Sequence, residues 1–290
     1  MNTQVKDPLV CGDPEREEGT SRRSFLQRAA IAGAFGAVGT GSFLTVLSPG
    51  AKGASALSHD DKDDDDDLRK RDHNILIAAE MAEALAVTTY TNIIDTAPFF
   101  SHLPADDQRY LVAARQEEMS HYLLEQSVTE EPSPFTSFFY PKGMFQDAQT
   151  TLNVLVTLED AFIAAYLVGV RNFSTRDLRV TAARIMGIES DHRTLARVLG
   201  SDVAVQDGGP ITKITGAQGV PESVDPPNNN GYERTLCWSH IEQAVAALTP
   251  FADINAAKAA GFDVSKSFAF SSFTPTLPNA LGDFISFKGC

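Results

Sequence analysis

The stretch "EEMSHYLLE", residues 117–125, carries a glutamate and a histidine three positions apart, Glu118 and His121. A second stretch, "GIESDHRTLA" at 187–196, repeats the spacing with Glu189 and His192. Only six histidines occur in the whole chain. Residues three apart on a helix project from one face, so Glu-x-x-His brings a carboxylate oxygen and an imidazole nitrogen to one point. One such motif arises easily by chance on a charged helix. Two gain meaning only if the surrounding sequence supplies the rest of a site.

Four long segments show the three-and-four apolar spacing of amphipathic helices. The first places Leu76, Glu80, Glu83, Val87, Tyr90 and Ile94 on one stripe. The second, after a start near Pro104 with Ser101 or Asp106 as cap, places Leu111, Ala114, Glu118, His121 and Glu125 together. The third gives Leu152, Leu155, Glu159, Phe162, Tyr166 and Val170. The fourth, capped by Ser174 or Thr175, gives Leu178, Ala182, Ile185, Glu189, His192, Ala196 and Leu199.

Glu83, Glu118, Glu159 and Glu189 therefore lie on faces that should point inward. A buried carboxylate is costly unless paired, hydrogen-bonded or bound to metal. Four of them, one per helix, imply a shared cation. Two Glu-x-x-His motifs plus one Glu from each of the other two helices form the ligand set of di-iron and di-manganese carboxylate bundles. Carboxylates and imidazoles suit Fe or Mn better than metals that prefer thiolates. The unit also repeats: Glu83 is followed seven residues on by Tyr90, and Glu159 by Tyr166, each ahead of a Glu-x-x-His. Such a repeat is expected of two helix hairpins related by a pseudo-twofold axis. Tyr90 and Tyr166 are either core aromatics or residues with a redox or ligand-supporting role. Glu80 is a secondary ligand candidate, and Glu117 is placed to hydrogen-bond a ligating histidine across the bundle. Ile188 stands in the matching position of the second motif.

Short links near 98–105 and 171–175 make antiparallel hairpins, while the Pro-rich, aromatic stretch 129–145 is long enough to cross the bundle. The expected architecture is all-α: a four-helix bundle over residues 73–200, two hairpins joined by one long crossover. Residues 201–231 read as a loop, and a fifth helix is expected through 235–248. The Phe-rich end shows no helical period and is expected either to wrap the bundle or to form an oligomer contact.

The chain has a formal net charge of −14 and no evident Lys/Arg cluster, so no nucleic-acid partner is expected. Near the N-terminus, "SRRSFLQ" (21–27) opens a Gly/Ala-rich apolar run ending at Ala54-Ser55-Ala56. The arginine pair and small-residue cleavage site predict a twin-arginine signal over 1–56 and delivery to the periplasm or the outside. No stable membrane span is expected in the mature chain. The acidic run "HDDKDDDDDLRKRD" (59–72) reads as a solvated linker over 57–72, with order beginning near His73. Cys237 and Cys290 are left in the mature chain and either bridge or stay apart.

The stretches "AAEMAEALAVTTY" (78–90), "EEMSH" (117–121), "LEDAFIAAY" (158–166) and "ESDH" (189–192) resemble the ferritin-like superfamily. That group includes ferritins, rubrerythrins and manganese catalases, and the exported, desiccation-related branch is the most similar. The resemblance implies two Fe or two Mn ions held by Glu83, Glu118, His121, Glu159, Glu189 and His192. It implies Glu118 and either Glu159 or Glu189 as bridges, with His121 and His192 terminal. Chemistry on dioxygen or peroxide is the leading expectation. Iron storage and a non-enzymatic stress role are the alternatives.

Overall fold

The computed structural model of the chain describes residues 61–202 and 236–276. The expected signal over 1–56 lies outside these residues, as does most of the expected 201–231 loop. Four long helices dominate: α1 (Asp61–Thr96), α2 (Ala105–Thr129), α3 (Ala148–Asn172) and α4 (Arg176–Asp202). α1 packs along α2 and α3 along α4, with α1 also touching α3. The expected pair of hairpins with a long crossover is therefore present.

α1 starts earlier than the linker reading allowed. The acidic run from Asp61 is its first turns rather than a linker ending at Asp72. Carboxylates there complement the positive end of the helix dipole, which reconciles a charge run with helix. Residues 66–71 are exposed, and burial begins at Asp72. The Asp72 carboxylate accepts the Ser174 backbone N–H at 2.9 Å and the Ser174 hydroxyl, tying α1 to the α3–α4 turn.

The caps follow the sequence in part. Pro104 is the N-cap of α2, and neither Ser101 nor Asp106 fills that place. Asp147 caps α3 by accepting the Thr150 N–H at 2.7 Å. Thr175 accepts the Leu178 N–H at 3.2 Å at the start of α4. Gly169 lets α3 and α4 approach closely, because a Cβ there would stand 2.8 Å from the Phe173 ring and 3.3 Å from Ala182. Among the described residues α3 is the one helix long and apolar enough to cross a membrane, yet 72% of that stretch is buried inside the molecule. Its apolar character follows from being packed on several sides.

The fifth helix, α5 (Ile241–Ala252), begins later than expected, because the Gln243 side chain accepts the His240 N–H at 3.1 Å and fixes the start. α5 lays Ile241, Ala244, Val245, Leu248 and Phe251 against α1 and α3. Trp238 packs against both halves of the core. The chain then forms α6 (Ile254–Ala259) and a strand, so this part of the tail is not irregular. Strand β2 (Phe262–Ala269) pairs antiparallel with β1 (Ser137–Pro141) of the crossover, with Phe138 opposite Phe268. Tyr140 meets Phe145, Phe251 and Phe268 edge-on at 5.0, 5.9 and 5.2 Å between ring centres. Farther on, Phe270 packs on Tyr122, and Thr276 N–H reaches Gln116 at 2.7 Å. Through residue 276 the tail wraps the bundle, clamping the crossover and α2. Cys237 is disulfide-bonded; Cys11 and Cys290 lie outside the described residues.

Candidate metal centre

Each long helix sends one carboxylate into the middle of the bundle. Glu83 on α1 is 2% exposed, and Glu118 on α2, Glu159 on α3 and Glu189 on α4 are each 0% exposed. His121 and His192 lie one turn beyond Glu118 and Glu189 and are also buried. Ionised carboxylates at such depth have no water to solvate them, so their partners must come from the site.

The six residues come together in two groups whose donor atoms lie within 4.8 Å of one another. One holds Glu83, Glu118, His121 and Glu189; the other holds Glu118, Glu159, Glu189 and His192. Glu118 and Glu189 belong to both. Glu118 sets Oε2 at 3.5 Å from His121 Nδ1 and Oε1 at 2.9 Å from His192 Nδ1. Glu189 sets Oε1 at 3.2 Å from His121 Nδ1 and Oε2 at 3.4 Å from His192 Nδ1. Of the two carboxylates left open as a second bridge, Glu189 faces both halves and Glu159 faces one.

The two groups of donor atoms could hold metal ions. Buried atoms without a hydrogen-bond partner include Glu83 Oε2, both oxygens of Glu118 and Glu189, Glu159 Oε2, and Nδ1 of His121 and His192. Buried polar atoms that face only one another are rare in folded proteins, and eight in one place form a set that a metal ion could complete. The set contains hard oxygens and imidazole nitrogens and no thiolate, a donor chemistry compatible with divalent transition metals.

Both tyrosines of the repeat touch this cluster, crosswise. Tyr90 on α1 donates to Glu159 Oε1 on α3 at 2.8 Å. Tyr166 on α3 contacts Glu83 Oε1 on α1 and Glu125 Oε1 on α2, the latter at 2.7 Å. Seven helical residues advance about 10.5 Å, so neither tyrosine is placed beside its own glutamate. Reciprocal contacts of this kind require α1 and α3 to run antiparallel.

Around this twofold core the surroundings differ. Glu117 Oε2 lies 2.9 Å from His192 Nε2, the cross-bundle contact expected of it. With Nε2 engaged by Glu117, Nδ1 faces the Glu118 and Glu189 carboxylates. Glu80 accepts from the Thr129 hydroxyl and belongs to neither donor group. Glu125, on the second stripe and one turn beyond His121, joins the surroundings of the site through Tyr166, a place the sequence signals only by that spacing. Arg193 Nη1 and Asp160 form a buried ion pair at 2.8 Å that fastens α4 to α3 beside the centre.

The electrostatics reflect a crowd of carboxylates. Burial, with Glu118 and Glu189 adding, pushes Glu83 well above the ordinary carboxylate range. Burial and the same two neighbours do so for Glu159. Burial would also raise Glu118, but His192 and His121 outweigh it and hold it low. Burial disfavours charged imidazoles, yet Glu83 beside His121 and Glu118 beside His192 raise both well above normal. The hydrogen bond from His192 keeps Glu117 ionised.

A helical bundle with carboxylates converging from all four helices and imidazoles from two of them defines a class of buried carboxylate–histidine proteins. Residues 67–201 match the ferritin-like domain family, so this part of the chain is similar to ferritin-like domains. No curated protein matches the chain.

Proposed function

We propose that the bundle holds two iron or two manganese ions and that the protein is an oxidoreductase acting on dioxygen or peroxide. The observation that carries this reading is the sharing of Glu118 and Glu189 between two donor groups. In it, Glu83 and His121 serve one ion, Glu159 and His192 the other, and the two shared carboxylates lie between. Bound there, the ions supply adjacent redox-active Lewis acids.

The protein's own residues set the conditions. Tyr90 and Tyr166 orient the unshared carboxylates, and Glu117 fixes the His192 tautomer. These contacts favour a supporting role for the tyrosines over direct attack on substrate. Burial of all six residues keeps bulk water away from the centre. Export by the twin-arginine route is part of the proposal, and the disulfide at Cys237 supports an oxidising destination. The tail surface is open to a homo-oligomer role.

Elemental analysis of protein purified without chelators from an exporting host tests the reading. Two Mn per chain directs the next assay to peroxide disproportionation, and two Fe to oxidase, peroxidase or ferroxidase turnover. A chain that takes up neither ion, even on reconstitution, overturns it and leaves a non-enzymatic stress protein. Metal uptake far above two per chain points to storage.

A further inference from the structure

A cavity of about 70 Å³ enters the bundle beside the carboxylate centre. Its outer lining includes Val128, 50% exposed, and the half-buried Thr181. Its walls are carbon, from residues such as Leu76, Ala79, Leu124 and Ile185. At depth it meets Glu125 and Tyr166, both buried. The Tyr166 hydroxyl contacts Glu83 directly, so one phenol separates the cavity from the Glu83–His121 half of the centre.

Size and chemistry narrow the occupant. An apolar cavity of ~150 Å³ stays dry and takes up benzene or xenon. This one is about half that volume, too small for an aromatic ring and large enough for a diatomic gas. Peroxide would surrender hydrogen bonds to water against carbon walls, a loss that dioxygen does not suffer. Tyr90, the twofold counterpart of Tyr166, instead packs edge-on against the His192 ring at 5.8 Å.

We propose that this cavity binds dioxygen and delivers it past Tyr166 to the Glu83–His121 half of the centre, an inference that rests on dioxygen chemistry at the proposed dimetal site. The cavity selects for the apolar oxidant, whereas peroxide must arrive by another way.

Xenon-pressurised crystals of the metal-free protein test the binding step without any activity. One xenon between Leu124, Ile185 and Tyr166 is expected, and its absence overturns the proposal. Ala79→Leu fills the cavity and should remove the xenon; if that variant does not fold, Thr181→Leu narrows the outer end at a half-buried position. In metal-loaded protein either variant should raise KM for dioxygen severalfold and leave KM for peroxide unchanged. An unchanged KM for dioxygen in a variant that has lost xenon overturns delivery. Xenon binding with no dioxygen consumption by the loaded wild type also overturns delivery. Failure to bind metal sinks the dimetal reading instead, and xenon occupancy tells the two failures apart.

Discussion

Tyr166 stands between two carboxylates, Glu83 on α1 and Glu125 on α2, and its hydroxyl is within hydrogen-bonding reach of both. A phenol has one proton, so it can donate to only one of them at a time. Burial pushes both carboxyls well above their usual range, and a proton on one of them completes the arrangement. Tyr90 serves Glu159 alone. Tyr166→Phe should therefore destabilise the metal-free protein more than Tyr90→Phe, each by about 1–3 kcal/mol. Urea unfolding of the two variants measures the difference, and a larger loss for Tyr90→Phe contradicts the account.

The shared and unshared carboxylates should behave differently on substitution. Glu118→Gln removes a donor from both groups, and Glu159→Gln from one. Glu118→Gln should abolish binding of both ions, while Glu159→Gln retains about one per chain. Metal-to-protein ratios after dialysis decide the matter. Equal losses in the two variants mean that the carboxylates are not divided in this way.

Glu117 touches the centre through His192. Glu117→Ala should weaken one of the two metal-binding steps by about 10–100-fold. The other step should change little, because the contact belongs to the His192 half. Stepwise titration with Mn(II) separates the two events. A uniform loss in both steps would show a general effect on folding instead.

Metal uptake should release protons and weaken in acid. His121 and His192 have raised affinities for a proton, as do Glu83 and Glu159. A cation needs these groups deprotonated. Protons bound more tightly in the metal-free state must leave on loading, so affinity rises with pH until those groups no longer hold protons. Calorimetric titration in buffers of different ionisation enthalpy counts the protons. A count of zero at neutral pH refutes this sign.

Saturation with metal should also protect the fold. Free ion at 100 times its Kd stabilises the native state by about 2.7 kcal/mol. A thermal melt with and without Mn(II) or Fe(II) shows the shift, which Glu118→Gln should remove.

The four helices and the inward placement of the six donors were legible in the sequence. Both rest on short-range spacing: a helix repeats every few residues, so the face carrying Glu118 also carries His121 wherever the helix sits. Distance in the chain hides the other relations. The Glu83–Tyr90 spacing marks a repeat but does not reveal that Tyr90 serves Glu159 across the bundle, because helix direction and offset decide that contact. Which glutamate faces both halves likewise depends on how α2 and α4 are rotated toward each other. The pairing of Phe138 with Phe268 joins strands that lack a shared local period. Even the start of α1 was obscured, since charge alone does not distinguish a solvated linker from an exposed helix end. Local periodicity set the helices and the donor types; packing between distant segments decided how the donors are grouped, which groups contact them and where the cavity lies.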